Sequence, residues 1–437
     1  MRVSLETHMK IRRMKIRGLL RDTIHLSIGQ GFRLVIQAAY FILIARSLGP
    51  DAYGAFVTVV AMAALLGPFS GLGTANLFIK NVRSSKREAA ICWGNGILLT
   101  VFSGSLLSAL ELGLSLVLHL KTAPLVVITV CVSDLVLLKV TELAAFGFTA
   151  LGRMKQTSIQ GAAVSLFRLA GIVILMVTVH PVTLSRWVLV YLLTSLLGTI
   201  YAVVKGGQAW GRPATDLRAL RDDVVEGVFF SIAGSATTIY NDIDKIMLSR
   251  LADLAATGVY AAAYRVIDVT MTPVRSLAAA AYPQFFRKGT AGLAATYPYA
   301  RSLIAKTSLY GSLASAALWL LAPVLPYVLG TKYQAVVPAV RWLALIPLLR
   351  SIHSFLADAL SGAGYQRTRT GIQVLVALIN VVSNLVILPR YSWRGAAWTS
   401  VGCDGLLVIL FWVTVHYQYR VQQFGTVRDG IRSAIGT

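Results

Sequence analysis

The chain has 437 residues, 56% of them hydrophobic and only 14% charged, with a mean hydropathy of +0.69. A soluble globule would leave much of that apolar surface in water, so a soluble enzyme, a disordered chain and, with only three cysteines, a disulfide-stapled domain are excluded. Lys and Arg number 41 against 18 Asp and Glu, a net charge of +23, which in a polytopic helical membrane protein reads first as topogenic charge and not as nucleic-acid binding.

The chain opens on a basic segment, 1–21, in which residues 9–17 (MKIRRMKIR) alternate bases with Ile and Met, as an interfacial segment on anionic lipid does. A signal peptide is not expected: Arg33 interrupts the first apolar run and no small-residue cleavage site follows it. Twelve membrane spans are expected at 23–45, 52–78, 89–118, 123–150, 157–179, 187–204, 225–248, 257–285, 298–322, 334–362, 370–389 and 395–418. Outside them, 24 bases lie at the N-terminus, after even-numbered spans or in the tail, and 7 lie after odd-numbered spans. That asymmetry puts both termini in the cytoplasm of a multi-pass inner-membrane protein. The longest connection is 205–224, so no outward loop is large enough to be a catalytic domain.

The chain repeats itself. RSLGPDAYGAF (46–56) and RLADLAATGVY (250–260) align Arg46 with Arg250, Gly54 with Gly258 and Phe56 with Tyr260 at one offset, 204, and Pro68 and Pro273 keep nearly the same spacing. A weaker echo links ALG (150–152) with ALS (359–361). The expected fold is therefore all-α, with two six-helix lobes related by a pseudo-two-fold axis along the membrane normal. The N-lobe spans 22–204, the linker 205–224, the C-lobe 225–418 and the cytoplasmic tail 419–437. Gly67, Pro68 and Pro273 interrupt the second helix of each lobe. They read either as static kinks or as hinges, and paired interruptions favour the hinge.

Charges at membrane depth survive facing a bundle interior or an aqueous cavity. At 100° per residue, Arg265, Asp268, Thr272 and Arg275 share one face of span eight. Ser231, Ser235, Thr238, Asn241, Asp242 and Lys245 share one of span seven, Gln30, Arg33, Gln37 and Tyr40 one of span one, and Gln373, Asn380 and Asn384 one of span eleven. The stripes of spans one, seven and eight carry four bases, Arg33, Lys245, Arg265 and Arg275, against two acids, Asp242 and Asp268, a chamber suited to an anionic, phosphate-bearing substrate. Arg265 with Asp268, and Asp242 with Lys245, are spaced equally well for internal ion pairs. Arg33 and Arg275 have no acid one turn away on their own helix and are the stronger substrate contacts. Arg168, Lys306 and Arg350 are further contact candidates. Asp134, Lys139 and Glu142 on span four read as a proton or sodium relay or as a packing network, and Asp242 and Asp268 are further ion-coupling candidates. Trp93, Trp187, Trp210, Trp319 and Trp393, near span ends, read as an interfacial aromatic belt. The six His show no metal spacing, His353 and His416 standing alone, and no phosphate-cradling glycine loop, catalytic carboxylate pair, cofactor motif or zinc motif is present.

ARSLGPDAYGAF (45–56), GLG (71–73), DKIMLSR (244–250), GVYAAAY (258–264), NVVSNLVILP (380–389) and GAAW (395–398) together resemble the polysaccharide, O-antigen-type lipid-linked oligosaccharide flippases of the multidrug/oligosaccharidyl-lipid/polysaccharide exporter superfamily, over nearly the whole chain. The resemblance implies alternating access that moves a polyprenyl-diphosphate-linked glycan to the outer leaflet through a cationic cavity lined by helices one, two, seven and eight. Cavity arginines of helices one and eight then map to Arg33 and to Arg265 or Arg275. Lipid II flippases of the superfamily usually carry two further C-terminal helices, which disfavours that reading. Expected partners are the lipid-linked glycan, membrane lipids, H+ or Na+ as coupling ion and other glycan-assembly proteins. The competing readings are a multidrug/cation antiporter of the same superfamily, which would prefer an acidic cavity, a membrane-embedded glycosyltransferase or ligase, and a scaffold in a glycan-assembly complex.

Overall fold

The computed structural model describes residues 2–75, 78, 86–216, 218, 224, 228, 231, 235, 238 and 242–435, with side chains from 33 to 422 except Lys86. Apolar runs in a bilayer have no water to satisfy their N–H and C=O groups, so they close those bonds internally as helices. The described residues form helices and turns and no strand. Among the described residues, eight stretches are long and apolar enough to cross a membrane: Arg33–Phe69, Arg87–Val117, Pro124–Ala150, Met154–Thr178, Leu184–Trp210, Leu293–Leu329, Val336–Gly362 and Gln366–Gln422. The first and the last are each broken, at Gly49 (φ 73°) and Ser392 (φ 51°), and each holds two of the expected spans. At the first break Gly49 supplies the left-handed residue and Pro50 opens the next helix, where its missing N–H costs no bond. The expected eighth span is divided into Leu254–Thr270 and Thr272–Gly289, which meet at Met271 just before Pro273.

The chain forms two compact units. Unit 1 is Met1–Leu48 with Ala55–Ile243, and unit 2 is Gly49–Gly54 with Asp244–Thr437.

Unit 1 is built on an aromatic core. Phe78, Trp93, Phe148 and Trp210 pack with Leu143, Val140 and Ala202, and the Trp210 ring lies 4.9 Å from Phe78, 4.9 Å from Phe148 and 5.1 Å from Trp93. Trp187 is likewise fully buried, against Tyr40, Phe56 and Tyr191. This corrects the aromatic-belt reading for Trp93, Trp187 and Trp210. A place near a span end sets the depth of a side chain but not the face it occupies, and these three face inward. Trp319 is exposed.

Unit 2 has an apolar core of Met271, Val274, Ala281, Phe285, Leu303 and Phe355. Its turn 49–54 packs against the helix that begins at Leu254. A Cβ on Gly54 would stand 1.8 Å from the Leu254 carbonyl oxygen, and one on Gly258 would stand 2.0 Å from the Pro50 carbonyl oxygen. Pro50 and Leu254 each precede their own glycine by four residues, so the contact is the same read from either side. The two glycines that the repeat aligns in sequence thus meet in space about a local two-fold, backbone against backbone.

Candidate functional site

In unit 1 the second span is interrupted. Its α-helix ends at Leu66, and Gly67–Phe69 form one 3-10 turn. Gly71 (φ 74°), Leu72 (φ 44°) and Gly73 (φ 71°) then turn left-handed in succession. A leucine there costs of order 1–3 kcal/mol and persists only where its surroundings hold it. Here the Gly71 N–H donates to Ser103 Oγ (2.8 Å), Thr74 Oγ1 donates to the Gly71 carbonyl (2.7 Å), and Ser70 Oγ donates to the Leu135 carbonyl.

The Leu135 acceptor exists because span four is also irregular. Val132–Leu137 form a π-helical segment between two α-helical halves. Such a segment leaves carbonyls without their usual partners. Leu135 O takes the Ser70 hydroxyl, and Leu137 O takes Thr199 Oγ1 at 2.8 Å. The two irregular stretches therefore lock each other. Ser70→Ala would leave a buried carbonyl without its donor, a loss of about 1–3 kcal/mol. The expected result is a lower unfolding temperature of the purified protein in detergent.

A cavity of about 240 Å³ opens at this junction, lined by Gly67, Pro68, Ser70, Thr74, Thr100, Lys139, Glu142, Phe146, Ser231 and Thr238. Ser231 and Thr238 belong to the polar stripe expected on span seven. Lys139 Nζ and Glu142 Oε2 are 2.7 Å apart and partly exposed. The lining is thus charge-balanced, with five hydroxyls and an ion pair, and can hydrogen-bond a hydroxyl-rich ligand from both donor and acceptor sides. Asp134 does not join Lys139 and Glu142. It lies in the π segment, which shifts the helical phase, and it takes Tyr191 OH (2.6 Å) and Arg168 Nη2 (3.7 Å) instead.

The expected cationic residues are placed as follows. Arg33 is exposed on span one, with Nη1 over Gly161 of span five, where a Cβ would stand 3.0 Å away. Gln37 on the same helix is half-buried. Asn241 and the side chain of Gln30 lie outside the described residues. Lys245 is half-buried, its Nζ 5.9 Å from the centre of the Tyr264 ring, and Asp242 is half-buried beside it in sequence. Arg265 and Lys306 have no carboxylate within ion-pair distance among the described residues. Arg275 Nη2 donates to Asp268 Oδ1 (2.9 Å) and to the Asp268 carbonyl (2.8 Å). Asp268 is thus held by Arg275, two turns on, and not by Arg265, one turn away. The break before Pro273 accounts for this, because it exposes carbonyls that need donors. Asp268 O takes Arg275, and Thr270 O takes Tyr310 OH (2.7 Å).

Arg350 is committed within unit 2. Its Nε donates to Asp404 Oδ2 (3.0 Å), and His353 Nε2 is 3.3 Å from Asp404 Oδ1, so His353 does not stand alone. Nor does His416, which stacks on Trp412 at 5.1 Å. The aligned amides of span eleven face inward here: Asn384 Nδ2 donates to Asn380 Oδ1 (3.0 Å), and Asn380 reaches Cys403 Sγ (3.6 Å). Gln373, the third residue of that stripe, is exposed. Tyr191 and Ser70, which hold the π segment and the break in span two, carry no sequence signal beyond a hydroxyl in an apolar run.

Residues 19–288 match the sequence profile of a family described as "Polysaccharide biosynthesis protein". No curated protein matches the sequence. Among solved structures, the lipid II flippase MurJ in an inward closed conformation is 12% identical and superposes with a TM-score of 0.72 over 90% of this chain and 87% of its own. An inward-facing multidrug resistance MATE family transporter of the MOP superfamily is 14% identical, with a TM-score of 0.68 over 89% and 95%. A MOP superfamily transporter from Pyrococcus furiosus, reported for the reverse polarity of its binding pocket, is 15% identical, with a TM-score of 0.59 over 90% and 95%. The chain shares the fold of these transporters.

Proposed function

From the premise that this chain belongs to the polysaccharide biosynthesis protein family, we propose that it is a flippase that carries a polyprenyl-diphosphate-linked oligosaccharide from the cytoplasmic to the outer leaflet. The family match over residues 19–288, on a fold shared with a lipid II flippase, is the observation that carries this reading. Both termini face the cytoplasm, and the two six-helix lobes alternate access around a cationic chamber. Arg33, Lys245, Arg265 and Arg275 hold the diphosphate, with Lys306 as a further contact, because a guanidinium fork matches phosphate oxygens. Sugar hydroxyls find partners in the hydroxyl-lined cavity beside Lys139 and Glu142. The prenyl tail stays in lipid. Gly67, Pro68 and Pro273 are the hinge positions, since both stretches are already interrupted and bend at little further cost. No covalent step is required. A proton or sodium ion couples transport through the intramembrane acids, and other glycan-assembly proteins supply the substrate.

The test is leaflet-resolved translocation of a lipid-linked oligosaccharide in proteoliposomes. Acceleration over protein-free vesicles is expected, and its absence with a verified cognate substrate would refute the reading. Accelerated efflux of cationic drugs without glycolipid translocation would favour the multidrug antiporter, whose fold this chain shares. Arg275→Ala separates binding from folding. Its pair with Asp268 is partly exposed, at 58% and 38% of the side chains, and a pair open to water is worth only about 0–1 kcal/mol to stability. Loss of a charge-assisted hydrogen bond to substrate, about 1.5–3 kcal/mol, lowers translocation roughly tenfold or more. Equal rates in variant and wild type would remove Arg275 from the site.

A further inference from the structure

Away from the cavity, unit 1 buries a second polar cluster around Glu111 of span three. Glu111 is 0% exposed, and neither carboxyl oxygen has a hydrogen-bond partner. Its polar neighbours are the Cys131 thiol and the Asp134 carboxyl on span four. Span three packs against span four, its π segment, span six and the break in span two. Among the described residues, the titratable groups that act on Glu111 or Asp134 are Cys131, Tyr191 and Lys139, the last paired with Glu142, with Arg168 of span five beside Asp134 and Tyr40 of span one behind it.

Charge counting decides the state of Glu111. Lys139 and Glu142 neutralise each other. Arg168 is matched by Asp134, which also accepts from Tyr191. Among the described residues this leaves no cation paired with Glu111. A thiol is a weak, uncharged donor and cannot stabilise a second anion. An ionised carboxylate with no paired cation and at most a thiol as donor, in an apolar interior, is far costlier than the neutral acid. The pair therefore holds one proton, and Glu111, the member without partners, is where it sits.

We propose that Glu111 is a proton-binding site of unit 1, neutral in the conformation seen here and able to exchange its proton with water when the cluster opens. On release the carboxyl O–H bond breaks, the electron pair stays on Glu111 as carboxylate and the proton leaves on water. As a device for coupling transport to a proton gradient, the site rests on the flippase reading. As a proton site it does not.

The test uses infrared spectroscopy of the purified full-length protein in lipid films. At neutral pH the C=O band of a neutral carboxylic acid is expected. It should shift on deuteration, disappear reversibly as the pH is raised, vanish in E111Q and persist in E142Q. Should E111Q fail to fold, E111D keeps the proton and should move the band. Absence of the band, its survival in E111Q, or a band that neither exchanges nor responds to pH overturns the site. In proteoliposomes, E111Q should translocate lipid-linked glycan without responding to an imposed pH gradient, while wild type responds. A preserved response in E111Q overturns the coupling role and leaves the flippase reading standing. Failure of every variant to translocate defeats the flippase reading, with the infrared titration still deciding the proton site.

Discussion

Gly54→Ala unfolds at a lower temperature than wild type in detergent, and Gly258→Ala does the same. Each introduced methyl would lie about 2 Å or less from a main-chain oxygen, 1.8 Å for Gly54 against Leu254 and 2.0 Å for Gly258 against Pro50. A flexible side chain could swing away from such a clash, but a carbonyl in a helix or a tight turn cannot, so the whole helix must shift. Overpacking of this kind costs about 1–3 kcal/mol and sometimes more. Because either methyl alone forces the two backbones apart, the double variant should cost clearly less than the two single losses added together. That non-additivity marks one shared contact. Fully additive losses would mean that the two glycines act separately and that the local two-fold contact does not form.

Asp404→Leu is the second large loss expected. Asp404 is buried and accepts from Arg350 Nε at 3.0 Å, with His353 Nε2 3.3 Å away. Arg350 is itself mostly buried, over the Tyr264 ring at 5.7 Å. Removing the carboxylate strands a guanidinium in an apolar interior, which costs about 3–5 kcal/mol, whereas replacing both partners by apolar groups of similar volume is often neutral. Asp404→Leu should therefore be severely destabilised, and the double variant Arg350→Met with Asp404→Leu should recover most of the loss. Denaturant unfolding of the three proteins measures the cycle. A double variant as unstable as Asp404→Leu would show that the pair is not what holds these helices. In this conformation Arg350 serves unit 2 itself, and its candidacy as a substrate contact requires that pair to open.

Much of the architecture was legible before any coordinates. Apolar run length announces helices because a bilayer offers the backbone no other partner. Pro68 and Pro273 marked interruptions that appear at Gly67–Phe69 and at Met271. The repeat at offset 204 named Gly54 and Gly258 as counterparts. It could not say that they touch, since alignment relates positions and says nothing of distance. On span seven, Ser231 and Thr238, which helical phase puts on one face, both line the cavity in unit 1.

Composition, hydropathy and charge asymmetry by themselves determined a helical membrane protein with an internal repeat, and local signatures pointed to its family. Only the tertiary structure decided which charges meet. Arg275, and not Arg265, took Asp268, because the break at Met271 exposed carbonyls that the longer reach could also cap. Asp134 parted from Lys139 and Glu142 because a π segment, silent in the sequence, rotated one half of span four relative to the other. Trp93, Trp187 and Trp210 turned inward although their depth placed them at an interface. In each case sequence periodicity fixes the angle of a side chain about its own helix. Its partner depends on how neighbouring helices are rotated and where they bend, and that is settled by packing among residues far apart in the chain.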